Sequence, residues 1–262
     1  MELENIINSV IDISKQAGSF IREQRKTFSA DKIELKGLND LVSYVDKTAE
    51  EIIVKSLAEL LPEAGFITEE KTINKTGERY NWIIDPLDGT TNFIHGLPVF
   101  SVSIALQEYD ELVLGVVYEV NMDECFYAWK GSPAYMNGNI IKASDTPTIA
   151  QSLLATGFPY YDFTKQAAYI SLFTELMKSC HGLRRLGSAA VDLAYTACGR
   201  FDAFYEYNLN PWDVAAGVLI VRQAGGQVVN FNGGKEVLQS RELLATNGKI
   251  TEEMLDAIRK YF

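Results

Sequence analysis

The run Trp82-Ile83-Ile84-Asp85-Pro86-Leu87-Asp88-Gly89-Thr90-Thr91-Asn92-Phe93 constrains this 262-residue chain more than any other segment. Its apolar start reads as a buried strand ending at Asp85, because Pro86 has no N–H with which to continue a ladder. Asp88 and Gly89 then begin a turn in which Gly89 permits close backbone approach, and Thr90 or Thr91 caps a helix starting near Asn92. Two carboxylates therefore emerge together at a strand end, opposite a helix start whose N–H groups favour anions. Such a pair can hold Mg²⁺ while the N–H groups hold a phosphate. Either half alone is also an ordinary Asp-Gly turn with a cap.

Residues 1 to 27 and 47 to 61 have helical periodicity, and Pro62 followed by Gly65 stops the second helix. Ile33 to Val45 has hairpin character. From Val99 to Ile141 the pattern becomes β, with Asn137-Gly138 a hairpin turn. After Pro147, short strands at Leu153–Thr156, Ala203–Tyr207, Gln227–Val229 and Leu243–Thr246 alternate with helices near 165 to 179, 188 to 199, 212 to 224 and 250 to 261. This is an α/β order, in which helices cover sheets. No repeat or linker divides it, so residues 1 to 262 read as one domain, with subdomains near 1 to 146 and 147 to 262 sharing an interface.

Four further acidic positions stand beside strand or helix ends. Glu69-Glu70 follows the Phe66-Ile67 strand, so at least one side chain sits at its mouth. Asp213 falls in the first turn of a helix begun by Pro211, where dipole stabilisation alone accounts for it. Asp46 suits the N-cap of the helix after Val45.

Composition narrows the partners. With 47% hydrophobic residues the chain can bury one large core or two joined ones, and its net charge of −11 makes nucleic acid and anionic membranes poor partners. An acidic protein still binds a phosphate where a metal supplies the positive charge. The first residues carry Glu2 and Glu4 within an amphipathic helix, unlike a secretory leader, and no apolar run is long enough to span a bilayer. Cys125, Cys180 and Cys198 lack metal or redox spacing and read as buried reduced thiols, consistent with the cytoplasm. Only His95 and His181 are present and no Cys-x5-Arg loop occurs, which argues against histidine- and cysteine-based phosphatases.

Together WIIDPLDGTTNFIH, WDVAAGVLIVRQAGG (Trp212 to Gly226), Glu69-Glu70 and Asp40-Leu41-Val42-Ser43-Tyr44-Val45-Asp46 resemble, in order and spacing, the inositol monophosphatase family along nearly the whole chain. The resemblance implies alternating α-β-α-β-α layers of helices and mixed or antiparallel sheets, as in the sugar phosphatases. It also implies a homodimer and two to three Mg²⁺ ions, with sensitivity to lithium. By position, Glu69, Asp85 and the carbonyl of Leu87 would hold one ion, and Asp85, Asp88 and Asp213 a second. Asp46 and Thr90, with Glu69, would activate water. Gly89 and Thr90 would receive the phosphate through backbone N–H groups. Glu206 and the Gly187-Ser188-Ala189 turn, with Asp88 and Asp213, would recognise a polyol.

One position departs from the pattern: Lys36 stands four residues before Asp40, where the family often has its lysine five before. The reaction expected is hydrolysis of inositol monophosphate, or a similar polyol phosphate, by direct attack of water. Fructose 1,6-bisphosphate, a 3′-phosphorylated adenosine nucleotide and NADP remain rival substrates, and a regulatory or scaffolding protein without turnover is the rival of another class.

Overall fold

The computed structural model describes residues 3–29, 33–37, 40–159 and 162–262, with backbone alone at 33–37 and 40–42. Helix α1 (Leu3–Thr27) precedes a hairpin of β1 (Ile33–Gly37) and β2 (Asp40–Ser43), then α2 (Tyr44–Leu60). Strands β3 (Gly65–Thr68) and β4 (Tyr80–Asp88) lead through the short α3 (Thr90–His95) into β5 (Ser101–Glu108), β6 (Glu111–Glu119), β7 (Glu124–Trp129), β8 (Ala134–Met136) and β9 (Asn139–Ile141). These last strands, from β3 on, form one seven-stranded sheet in sequence order, parallel only at β3–β4. The remaining elements are β10 (Leu153–Thr156), α4 (Gln166–Ser179), β11 (Gly182–Arg184), α5 (Ala189–Ala197), β12 (Ala203–Tyr207), α6 (Pro211–Gln223), β13 (Gln227–Val229), α7 (Val237–Ser240), β14 (Glu242–Thr246) and α8 (Thr251–Ile258). They build a mixed five-stranded sheet in the order β11-β10-β12-β14-β13.

Side-chain alternation sets the layers. Trp82 and Ile84 face one core with Val10, Ile21, Ile53 and Leu57 of α1 and α2, whereas Ile83 faces a second core built on α5 and α6. Both faces of the large sheet are thus buried, which is why its central strands read as continuous apolar runs. The second core also takes Phe204 and Ala245 from the small sheet, so α5 and α6 lie between the sheets. Val214 to Val221 of α6 are all buried, as a helix enclosed by two sheets requires. A third core joins the far face of the small sheet, through Leu154, Tyr205 and Leu244, to α4 and α8. The layers run α-β-α-β-α.

Several boundaries differ from the sequence reading. Helix α2 begins at Tyr44 with Ser43 as its cap, and Asp46 is its third residue, whose carboxylate accepts from the Ser43 N–H at 2.9 Å. Asp46 is therefore half of a capping box, not the N-cap. Helix α3 starts at Thr90, with Gly89 as its cap at φ +95° and no capping side chain, so neither Thr90 nor Thr91 caps it. Of the three thiols only Cys125 is fully buried, while Cys180 and Cys198 are half-buried. The three-residue edge strand β11 and the one-turn α7 were not expected, being too short to show a period. The side chain of Lys36 lies outside the described residues. Among the described residues, no helix is long and apolar enough to cross a membrane.

Candidate active site

Asp85 and Asp88 share one side of the chain because β4 is irregular there. Asp85 pairs with Ser103 and Asp88 with Ser101, so three steps on β4 match two on β5. Regular pleating would put residues three apart on opposite faces; the extra residue brings both carboxylates to the same one. Pro86 lies inside the irregularity, where its missing N–H interrupts no ladder bond. Leu87 N–H donates back to Asp85 Oδ1 at 3.0 Å, bending the Leu87 carbonyl toward Thr90 Oγ1, 2.9 Å away. Thr90 Oγ1 also lies 2.9 Å from Asp46 Oδ1, and Ser43 Oγ donates to Asp46 Oδ2 at 2.8 Å. The cap of α2 thus orients Asp46, and Asp46 receives the Thr90 hydroxyl.

The opposite wall comes from the layer between the sheets. Asp88 Oδ2 accepts from Ser188 Oγ at 2.6 Å and from Ala190 N–H at 2.7 Å, at the start of α5. Asp213 Oδ2 accepts from Asn210 N–H at 2.6 Å, a capping box at the start of α6. Asn92 of α3 donates to the carbonyls of Val99 and Leu186, tying the first half of the chain to the turn before α5. Between these walls lies a cavity of about 440 Å³, lined by Glu69, Asp85, Leu87, Asp88, Gly89, Thr90, Gly187, Ser188, Ala189, Glu206 and Asp213. Asp46 stands behind it, reaching the cavity through Thr90. Every site residue expected from the sequence, Lys36 aside, is either in this wall or bonded to it.

So much negative charge in a desolvated place raises the proton affinity of each group. Burial pushes Asp85, only 2% exposed, far above the ordinary carboxylate range, and the charges of Glu69, Asp88 and Asp213 push it further. Burial lifts Asp88 to about 6 against the pull of its Ser188 and Ala190 hydrogen bonds. Asp213 is lifted to about 7, again by burial, with the Asn210 hydrogen bond opposing. Burial and then Asp213 raise Glu206, and the Arg185 charge opposes. Asp46 is raised by burial against its bonds from Ser43 and Thr90.

The donor set fits a hard divalent cation. It consists of carboxylates and one carbonyl, with no sulfur or imidazole, and its mutual repulsion is what a cation relieves. Among the described residues no three of these side chains close on a single point; they share the cavity, with Asp85, Asp88 and Asp213 each accepting from a neighbouring backbone N–H.

Three charged residues of the wall escaped the sequence reading. Arg185 lies over the Phe158 ring at 5.4 Å and opposes the carboxylate charges of Glu206 and Asp192. Asp192 is buried on α5, and burial followed by Glu206 and Asp88 raises its proton affinity. Asp192 lies one helical turn after Ser188, the one signal that could have revealed it. Lys71, beside Glu69, also lines the cavity.

A layered α-β-α-β-α fold with an acidic, oxygen-donor cavity between its sheets is the frame of a sugar-phosphatase-like protein. The chain matches the Inositol monophosphatase family over residues 2–261 and belongs to it. Its sequence is 36% identical over 256 residues to an inositol-1-monophosphatase of Mesorhizobium japonicum, covering 97% of this chain and 96% of that one. It is 40% identical over 255 residues to the Nus factor SuhB of Escherichia coli, with coverage of 97% and 96%. The crystal structure of the extragenic suppressor protein suhB from Bartonella henselae superposes with a TM-score of 0.92 at 36% identity, covering 98% of this chain and all (100%) of the other.

Proposed function

We propose that this chain is a Mg²⁺-dependent phosphomonoesterase acting on inositol monophosphate or a similar polyol phosphate, by direct attack of water on phosphorus. The observation that carries this reading is the Thr90 hydroxyl, 2.9 Å from both Asp46 Oδ1 and the Leu87 carbonyl oxygen, at the edge of a cavity lined by Glu69, Asp85, Asp88 and Asp213. Bound Mg²⁺ would supply positive charge that acidifies the attacking water and neutralises the phosphate and leaving oxygens. Glu69, Asp85 and the Leu87 carbonyl would hold one ion, and Asp85, Asp88 and Asp213 a second.

The chain's own residues do the positioning. With its proton turned to Asp46, the Thr90 hydroxyl presents lone pairs to which the attacking water donates, so the leaving proton has a path toward Asp46. The Gly89 and Thr90 backbone lines the cavity where a phosphate would rest. A Cβ at Gly89 would stand 2.9 Å from the Val99 carbonyl, which with φ of +95° requires glycine there. Glu206, with Ser188 and Ala189, forms the far wall, where a carboxylate can accept from vicinal hydroxyls.

The relatives named Nus factor favour a second reading, a regulatory role without turnover. The full set of family positions at Asp46, Glu69, Asp85, Asp88, Thr90 and Asp213 supports the enzyme. A phosphate-release screen with Mg²⁺ decides, using inositol 1-phosphate, glycerol 2-phosphate, fructose 1,6-bisphosphate, adenosine 3′,5′-bisphosphate and NADP. Release fastest from inositol 1-phosphate is expected, and no release from any of them overturns the reading.

A further inference from the structure

Helix α2, which carries Asp46, has a second fully buried carboxylate one turn further on. Glu50 is 0% exposed and stands four residues after Asp46, on the same face of the helix. It does not line the cavity. It accepts four hydrogen bonds, from Thr68 Oγ1 at 2.9 Å, Glu70 N–H at 2.8 Å, Thr72 N–H at 2.8 Å and Thr72 Oγ1 at 2.7 Å. All four donors belong to residues 68 to 72, the turn that leaves β3 and carries Glu69.

That turn needs an anchor. Lys71 stands at φ +55°, a left-handed conformation that side chains disfavour, and the two N–H groups bonded to Glu50 flank it. Such a turn makes a concave nest of donors, and the Glu50 carboxylate fills it. On its other side the turn is tied to β4, where Glu69 N–H donates to the Ile84 carbonyl at 3.2 Å. Glu69 itself lines the cavity, and its charge is felt by Asp85.

We propose that Glu50 is a positioning residue for the ion-binding carboxylates. Acting through the turn at 68 to 72, it sets where Glu69 stands relative to Asp85. Because Asp46 holds Thr90 from the same helix face, α2 aligns both the water-activating pair and the Glu69 carboxylate. The inference rests on the proposed function for what Glu69 does, whereas the anchoring of the turn stands apart from it.

The test is Glu50→Gln, which keeps the size of the side chain but places an NH₂ against groups that donate. Amide hydrogen exchange in chelator, Mg²⁺ titration calorimetry and the Mg²⁺ dependence of inositol 1-phosphate hydrolysis are measured on the whole chain, alongside thermal unfolding. Glu70 and Thr72 amides should exchange about 10-fold faster or more. The Mg²⁺ dissociation and half-saturation constants should both rise about 10- to 100-fold, the usual effect of removing a group that orients a metal ligand. Activity at saturating Mg²⁺ should recover most of the lost rate. Thr72→Val removes one of the four bonds and should shift the same constants in the same direction by less, which keeps the test open where Glu50→Gln fails to fold. A folded Glu50→Gln protein with faster exchange and a lower Tm but unchanged Mg²⁺ constants makes Glu50 merely structural and overturns the proposal. Wild-type protein that binds Mg²⁺ yet hydrolyses no ester removes the proposed function, and the calorimetric comparison still decides the role of Glu50. Wild-type protein that takes up no Mg²⁺ overturns both.

Discussion

Asp85 is the residue where burial and charge act together most strongly. As the carboxylate proposed to serve both ions, it should be irreplaceable for turnover: Asp85→Asn is expected to cut kcat by about three orders of magnitude or more. The metal-free variant should nevertheless melt higher than wild type, because one of several crowded charges is gone. Turnover within tenfold of wild type at saturating Mg²⁺ would remove Asp85 from that position. Asp213 allows a pH test of the same crowding. Its folded-state value of about 7 lies above the ordinary 3.8, so the folded protein binds the proton more tightly than the unfolded chain. Stability from that proton is present below about pH 4 and is lost as pH rises toward about 7. Asp213→Asn removes this dependence, so in chelator its Tm minus that of wild type should grow more positive across that window. A flat difference would mean that Asp213 is not held in a destabilising environment.

At the scale of elements, the end of β10 and the end of β12 meet at Glu206. The Gly157 position just after β10 is so close that a Cβ there would lie 1.9 Å from Glu206 Oε2. Glu206→Ala should lower kcat/KM for inositol 1-phosphate about 10- to 150-fold, the loss of a hydrogen bond to a charged acceptor, while p-nitrophenyl phosphate is hardly affected. Gly157→Ala should reproduce that substrate selectivity while keeping the carboxylate in the chain, because the methyl group displaces it. Equal losses on both esters would assign Glu206 to the metal site or the fold instead.

For the whole molecule, the carboxylates proposed to bind ions come from both halves of the chain: Asp85 and Asp88 from the large sheet, Glu69 from the turn after β3, and Asp213 from the helix layer between the sheets. Ions bound there would tie the halves together and stabilise only the folded state. At Mg²⁺ about 100 times its Kd the gain is about 2.7 kcal/mol per site, roughly 5 to 10 °C in Tm for a chain of this size. Calorimetric melting in chelator and in excess Mg²⁺ measures it. An unchanged Tm would mean that the cavity takes up no Mg²⁺ in the folded state.

Local rules made much of this protein legible from its residues alone. The apolar run before Pro86 reads as a buried strand, although Pro86 does not end it: β4 runs on to Asp88, with the proline inside its irregularity. Pro211 and Asp213 mark the opening of α6, and the period of the later segments placed α4, α5, α6 and α8 within a few residues. The signature segments named residues that the fold gathers at one cavity, because groups at a strand end or helix start are written in adjacent positions. Contacts between distant segments were not legible. That Asp85 and Asp88 emerge together was legible, but the device that does it, one extra residue in the pairing of β4 with β5, is not stated by the sequence of β4. That Asp192 and Arg185 join the cavity, and that Glu50 anchors the turn bearing Glu69, follows from how α5 and α2 pack against the sheets. Periodicity reports which face of an element is apolar, but a buried carboxylate is paired by whatever element lies across from it, and only the folded chain decides that.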